Sequence, residues 1–363
     1  MKVHLSDIAK KVGVSKMTVS RALREEPSVA ETTRKKIQKA AEELGYVPNP
    51  KLARLMYEMA QSRGSPNVLG ELAYITTDET EDSWRKYYHE SGCYEGAKAE
   101  AQAYGYKLLP VWARSRRFGK GKLTSFLWSR GVDGIIIAPL GKEMIGKQLD
   151  IDWDKFCCVQ IGATLSYPKL DLVRHNHYMG MAQSLAGLED LGYKRIGLCI
   201  SSVTDMRSYH RWTSAYLHWR TVRQFTKRTL PSHYYHSGNV DRRAFKEWLS
   251  RHKIEAIISM DSELMETCSK LGIKIPEDLG FSVLDKPGDE SEIAGIDQIA
   301  RQIGRKAVDD LIVSVRKGAS GIPEHPIQTI VEGEWQEGNT VRRVGLPVDR
   351  QPTTELENIE GSF

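Results

Sequence analysis

Between residues 5 and 44 apolar positions recur at helical spacing in three short runs. Ile8, Ala9 and Val12 fall on one face of a first helix, with Ser6 as its N-cap. Gly13 follows where a left-handed turn residue fits. Ser15 caps a second helix in which Val19 and Leu23 face inward at i, i+4, leaving Lys16, Met17, Ser20 and Arg21 near or on the outer face. In residues 31–44, Ile37, Ala40, Ala41 and Leu44 share a face, and Gly45 is the stop. Three such faces can close one small core that none closes alone. A helix, a tight turn and a second helix with a polar, partly basic outer face make the helix-turn-helix arrangement, whose second helix enters the DNA major groove. An αα-hairpin of an unrelated helical domain would leave the third run unexplained.

From residue 68 the pattern changes. VLGELAYIT reads as a strand, followed by a helix near 85–104, the strand YKLLPVW, a helix near 121–130, and the apolar strands GVDGIIIAP and KFCCVQIG. MAQSLAGLEDLGY is a helix and KRIGLCIS a strand; EAIISM and LGFSVLD are later strands. Alternation of helices with continuous apolar strands predicts parallel sheets covered on both faces. The expected fold class is multi-domain: an all-α helix-turn-helix headpiece, then an α/β body of two doubly wound lobes. Ligands bind such sheets at the carboxyl ends of their strands and between lobes.

Charge sharpens this division. Residues 1–50 carry a net charge of +4 and residues 51–67 a further +2, within a chain of +5, so the body is close to neutral. Positive charge concentrated on the helix-turn-helix is what phosphate attraction requires, and it predicts salt-sensitive binding. At 363 residues the chain is long enough for a headpiece and a large body. It contains no run of about 18 apolar residues that would span a membrane, and its polar N-terminus reads as lacking a signal peptide. The five cysteines (93, 157, 158, 199 and 268) show neither a CxxC pair nor metal-ligand spacing, which fits reduced thiols in a cytoplasmic protein. No GxGxxG, P-loop, GxSxG or HExxH motif supports an enzyme, and His175 and His177 read as a surface pair rather than a metal site.

The runs DIAKKVGVSKMTVSRAL and TRKKIQKAAEELGYVPNP, with the spacing between them, resemble the LacI family of bacterial transcriptional repressors. LGYKRIGLCIS, PEDLGFSVLD and GIDQIARQIGRKAVDDLI extend the resemblance through the body, which in that family is similar to periplasmic sugar-binding proteins. The resemblance implies a headpiece at 1–46, a hinge at 47–67, and a first lobe of 68–174 plus about 298–322. It implies a second lobe of 175–297 plus about 323–340, to which a single strand near 326–334 returns, with a mobile tail at 341–363. It places DNA contacts on Ser6, Ser15, Lys16, Met17, Thr18, Ser20 and Arg21, and on Asn49, Leu52 and Leu55 of the hinge. Lys16 would read guanine acceptors and Met17 thymine methyls. In the family a hinge leucine wedges into the minor groove, and Leu55 falls at that position. Pro50 and Leu52 depart from the family pattern, Ala53 stands one place late, and the hinge is longer than usual. In KLARLMYEMAQSR, Leu52, Leu55, Met56 and Met59 form an apolar stripe that suits either a DNA wedge or a dimer seam.

For the effector, the resemblance points to Thr77, Asp78, Trp84, Ala138, Arg211, Trp212, Asp261, Asp285 and Gln298. Carboxylates there would accept sugar hydroxyls, and rings would pack on sugar faces. Trp212 stands where many relatives carry a ligand-clamping arginine, with Arg211 beside it, and Met260 and Ala138 replace residues that are polar in relatives. The implied cleft is therefore less polar than that of a typical sugar-binding relative. The expected function is a sequence-specific DNA-binding repressor, acting as a cytoplasmic homodimer on a pseudo-palindromic operator. A small molecule in the cleft, most often a carbohydrate in this family, would modulate it, with no cofactor and no membrane partner. The alternatives are a regulator responding to a protein co-regulator or a non-sugar metabolite, and a two-lobed α/β enzyme. One weak point is the third helix, where Ala30 occupies the N-cap position and Ser28 with Glu31 offers a capping box instead.

Overall fold

The computed structural model describes residues 5–15, 18–19, 22, 29–44, 69–144, 146–222, 233–235, 240–288 and 291–346. The chain divides into two compact units, 1–174 with 300–330 and 175–299 with 331–363.

In the headpiece, helix α1 (Leu5–Val12) and helix α2 (Glu31–Glu43) pack together. Thr18, Val19 and Ala22 between them are helical. Ile8, Ala9, Val19, Ala22, Val29, Ile37, Ala40 and Ala41 are buried in one cluster, with Val12, Val14 and Leu44 at its margin. α1 ends as its sequence dictates: Gly13 takes a φ of 75°, and the amides of Gly13 and Val14 both donate to the Ala9 carbonyl. The chain is already helical at Leu5, so Ser6 stands within α1 rather than ahead of it as the N-cap.

The first lobe is a six-stranded sheet of β1 (Gly70–Thr76), β2 (Tyr106–Trp112), β3 (Val132–Ile137), β4 (Cys157–Ile161), β5 (Asp171–His175) and β11 (Gln328–Val331), in the order β11-β5-β4-β3-β1-β2. The pairs β1–β2, β1–β3, β3–β4 and β4–β5 are parallel. Helix α3 (Tyr88–Ala103) and the returning helix α10 (Ala300–Lys317) cross at two glycines. A Cβ on Gly96 would stand 2.0 Å from the Arg301 carbonyl oxygen, and one on Gly304 would stand 1.9 Å from that of Cys93. Helix α4 (Lys122–Ser129) contributes Leu123 and Leu127 to a core with Ala73, Ile75, Ile135, Ile137 and Cys158.

The second lobe repeats the plan with β6 (Ile196–Ser201), β7 (His233–Tyr235), β8 (Ala256–Ser259), β9 (Gly280–Val283), β10 (Gly295–Asp297) and β12 (Glu334–Gln336), in the order β12-β10-β9-β8-β6-β7. Its pairs are parallel except β10–β12. Helices α5 (His177–Asp190), α6 (Ser202–Arg207), α7 (Arg211–Val222), α8 (Arg242–His252) and α9 (Leu264–Lys270) accompany these strands. One core joins Met181, Leu185, Leu198, Ile200, Trp212 and Tyr216; another joins Cys199, Phe245, Trp248, Ile257 and Phe281.

Two sequence expectations change. The single strand expected near 326–334 in the second lobe is two strands. β11 belongs to the first sheet and β12 to the second, with Gly333 between them at a point where a Cβ would meet the Asp297 carbonyl oxygen at 2.6 Å. His175 is not on the surface. It ends β5 as a buried residue, in ring contact with His177 and Trp212.

Candidate DNA-binding and effector sites

The second helix of the headpiece is capped from its own sequence. The Thr18 amide donates to Ser15 Oγ at 3.0 Å, and the two hydroxyls share a hydrogen bond of 2.8 Å. Ser15 and Thr18 therefore stand together at the start of this helix. Lys16, Met17, Ser20 and Arg21 lie outside the described residues, as do Asn49, Leu52 and Leu55 of the hinge, Ser28, and the tail from 347 onward. A Ser15→Ala chain is expected to lose about 1 kcal/mol of headpiece stability, measured as a lower headpiece melting transition by circular dichroism with the body transition unmoved.

α2 starts without a side-chain cap at Ala30, whose carbonyl accepts the Thr33 and Arg34 amides at 2.9 Å each. Arg34 reaches back to the Val29 carbonyl at 3.3 Å and ties the entry of the helix to its first turn. At the other end Lys11 pairs with Glu43 at 2.7 Å, joining α1 to α2. The hydrogen bond and charge of Lys11 hold the Glu43 carboxyl below its ordinary range.

In the first lobe, parallel pairing puts the ends of β1, β2 and β3 on one edge of the sheet. Thr77 is buried there, and its Oγ1 accepts the Gly141 amide at 3.0 Å. The Asp78 carbonyl accepts Trp112 Nε1 at 2.9 Å and Arg114 Nη1 at 3.1 Å, and Arg114 also pairs with Glu143. Ala138, also buried, donates its amide to the Ile75 carbonyl at 3.0 Å. Trp84 is only 2% exposed. Its Nε1 donates to the Glu81 carbonyl, and its ring packs with Tyr74 and Tyr94 under the Arg85 guanidinium, 4.4 Å from the ring centre. Thr77, Asp78 and Ala138 thus come together at the strand ends, while Trp84 is part of an aromatic cluster beneath α3.

In the second lobe the edge is formed by the ends of β6, β7, β8 and β9. Asp261, half-buried, accepts Tyr235 Oη at 3.2 Å on one oxygen and the Glu263 amide at 3.1 Å on the other. Burial first, and the Asp261 carboxylate next, push the Tyr235 phenol upward, so it stays protonated and serves as the donor. Asp285 is half-buried after β9. Gln298 is buried, with Nε2 on the Leu284 carbonyl at 2.8 Å. Arg211 donates to the Ser208 carbonyl at 3.0 Å and lies over the Tyr209 ring. Burial lowers its guanidinium from the ordinary value, although arginine keeps its charge. Trp212, 1% exposed, belongs to the core, with its ring 4.6 Å from that of His177.

Sequence reading passed over Trp112 and Arg114, which pin Asp78, and Tyr235, which holds Asp261. For Trp112 and Arg114 the available signal was their place at and just after the end of the predicted strand YKLLPVW; Tyr235 offered none, because its strand is only three residues long. No group of three or more His, Cys, Asp or Glu side chains suited to a metal occurs among the described residues. No helix among them is long and apolar enough to cross a membrane.

Comparison with known proteins bears on both ends of the molecule. Residues 4–49 match the family model described as bacterial regulatory proteins, lacI family. Over 319 residues the chain is 24% identical to the HTH-type transcriptional repressor CytR of Escherichia coli (strain K12), covering 84% of this chain and 87% of that one. Among solved structures it is similar to the transcriptional regulator CelR–cellobiose complex, with a TM-score of 0.57, 18% identity, and coverage of 93% of this chain and 100% of that one. It is also similar to the lac repressor dimer bound to operator and the anti-inducer ONPF, with a TM-score of 0.54, 18% identity, and coverage of 94% and 100%.

Proposed function

We propose that this chain is a DNA-binding transcriptional regulator of the LacI family, a homodimeric repressor whose operator affinity is set by a small polar effector held at the carboxyl ends of its body strands. The observation that carries this reading is the headpiece within residues 4–49: a closed three-helix core, with Ser15 and Thr18 starting the segment that bears Lys16 and Met17. The lac repressor structure is a dimer on its operator and the CelR structure holds cellobiose. These support a pseudo-palindromic operator and a carbohydrate effector for this chain. The proposed effector residues are Thr77, Asp78, Ala138, Arg211, Asp261, Asp285 and Gln298, with Trp84 and Trp212 supporting them from the cores. The domain limits are proposed as read from the sequence, except that the first lobe takes in β11 and reaches residue 330; a cytoplasmic location on DNA is proposed as well. The reading assigns no catalytic step to the body.

The mechanism is a population shift. An effector that binds one arrangement of the lobes better than another favours that arrangement, and the hinges transmit the change to the headpieces. By reciprocity, DNA changes effector affinity by the same factor.

The reading roles of Lys16 and Met17 are testable with an operator selected from random DNA by the parent chain. Each alanine substitution is expected to cost about 1–3 kcal/mol of discrimination at its own base position. The measure is binding to a panel of single-base variants of that operator. A uniform loss across the panel assigns Lys16 to phosphates, and unchanged preference in both variants removes the reading role.

A further inference from the structure

At the end of β6 the second lobe buries two polar atoms for which the described residues supply no hydrogen bond. Ser201 is the N-cap residue of α6, yet its hydroxyl makes no capping hydrogen bond, and its Oγ is buried without a partner. Asp205, four residues on, is the second. Its side chain is 2% exposed. Oδ2 takes the ring of His210 through Nδ1 at 2.8 Å, while Oδ1 has no partner. Ser201 caps α6 with extended backbone and Asp205 lies one turn into it, so both oxygens stand at the β6 end of this short helix.

The turn that follows is held in an unusual conformation. Tyr209 and His210 have φ of 54° and 58°, in the left-handed region that side chains such as these rarely adopt. Asp205 fixes this turn through its own backbone: its carbonyl accepts the His210 amide at 2.8 Å and Ser208 Oγ at 2.8 Å. Strained backbone of this kind gathers at ligand sites. A buried carboxylate oxygen without a donor is costly to keep unless something outside the chain completes it.

We propose that Ser201 and Asp205 form a subsite that accepts hydrogen bonds from a hydroxyl or ammonium group of the effector, a step that rests on the effector reading above. The chemistry follows from the pair. An ionised carboxylate is acceptor-only, so it takes a ligand donor and repels a ligand carboxylate or phosphate. Ser201 Oγ can accept from the same group or donate to its neighbour. This edge of the second lobe then favours a ligand that brings a hydrogen-bond donor to this point.

The test is calorimetric titration of the full chain with cellobiose, uridine, glucosamine, gluconate and glucose 6-phosphate, followed by two variants with each probe that binds. Ser201→Ala removes a hydroxyl that makes no hydrogen bond among the described residues. Asp205→Asn keeps the shape and an oxygen for His210 while turning the other position into a donor. The expected result is an affinity loss of roughly three- to tenfold for Ser201→Ala and about tenfold or more for Asp205→Asn, with ligand-free melting little changed. Glucosamine losing more than cellobiose in Asp205→Asn assigns an ammonium; equal losses assign a hydroxyl. Parental affinity in both variants overturns the subsite, leaves the effector reading standing, and assigns the two oxygens to an enclosed water. No binding of any probe to the parent chain takes down the effector reading itself, and the subsite with it.

Discussion

An Ile37→Ala chain is expected to lose operator binding while its body melts as the parent does. Ile37 is fully buried at the centre of the headpiece cluster, against residues of both other helical segments. Truncating a buried isoleucine to alanine costs about 2–5 kcal/mol. A domain of about fifty residues has roughly 3–7 kcal/mol of stability in all, so little is held in reserve. Most of the recognition surface would be unfolded, and binding to a selected operator would fall in proportion to the folded fraction. The body has cores of its own, so its calorimetric transition should stay in place. Operator binding at parental strength with the substitution in place would mean that DNA binding does not depend on this core. A headpiece rescued only at high DNA concentration would show folding coupled to binding.

The headpiece was readable because its information is local. Ile8, Val19, Ile37 and Ala40 recur at helical spacing, Gly13 marks the turn, and Ser15 precedes the helix it caps, so each signal sits within a few residues of its effect. The alternation of the body was equally local, since continuous apolar strands announce sheets covered on both faces. What was not readable depends on partners distant in the chain. Asp78 is pinned by Trp112 and Arg114, 34 and 36 residues away. Asp261 is held by Tyr235, from a three-residue strand too short to stand out. The split of the expected 326–334 strand into β11 and β12 turns on a close approach at Gly333, which no periodicity encodes. His175 looked like a surface residue because a histidine at a strand end usually is one; its burial comes from its packing against Trp212.

Trp212 carries the other large effect. Replacing it with arginine, the residue that the resemblance leads one to expect there, is expected to damage the second lobe instead of creating a ligand clamp. The indole is 1% exposed and packs in the core that includes Leu198, Ile200, Ala215 and Tyr216, with the rings of His175 and His177 alongside. Removing a large buried aromatic costs about 3–5 kcal/mol, and a guanidinium in its place adds an unpaired buried charge. The nearby guanidinium, Arg211, is already drawn down by its own burial and would repel a second. Together these predict a fall in body melting temperature of at least about 10 °C, given roughly 2–4 °C per kcal/mol for a unit of this size. Trp212→Phe keeps an apolar ring and should lose far less. Scanning calorimetry of the three chains decides the matter. An arginine chain that melts with the parent would require the new side chain to leave the core for the strand ends. Position 212 would then be an effector position after all, and the chain should gain affinity for an anionic probe such as gluconate.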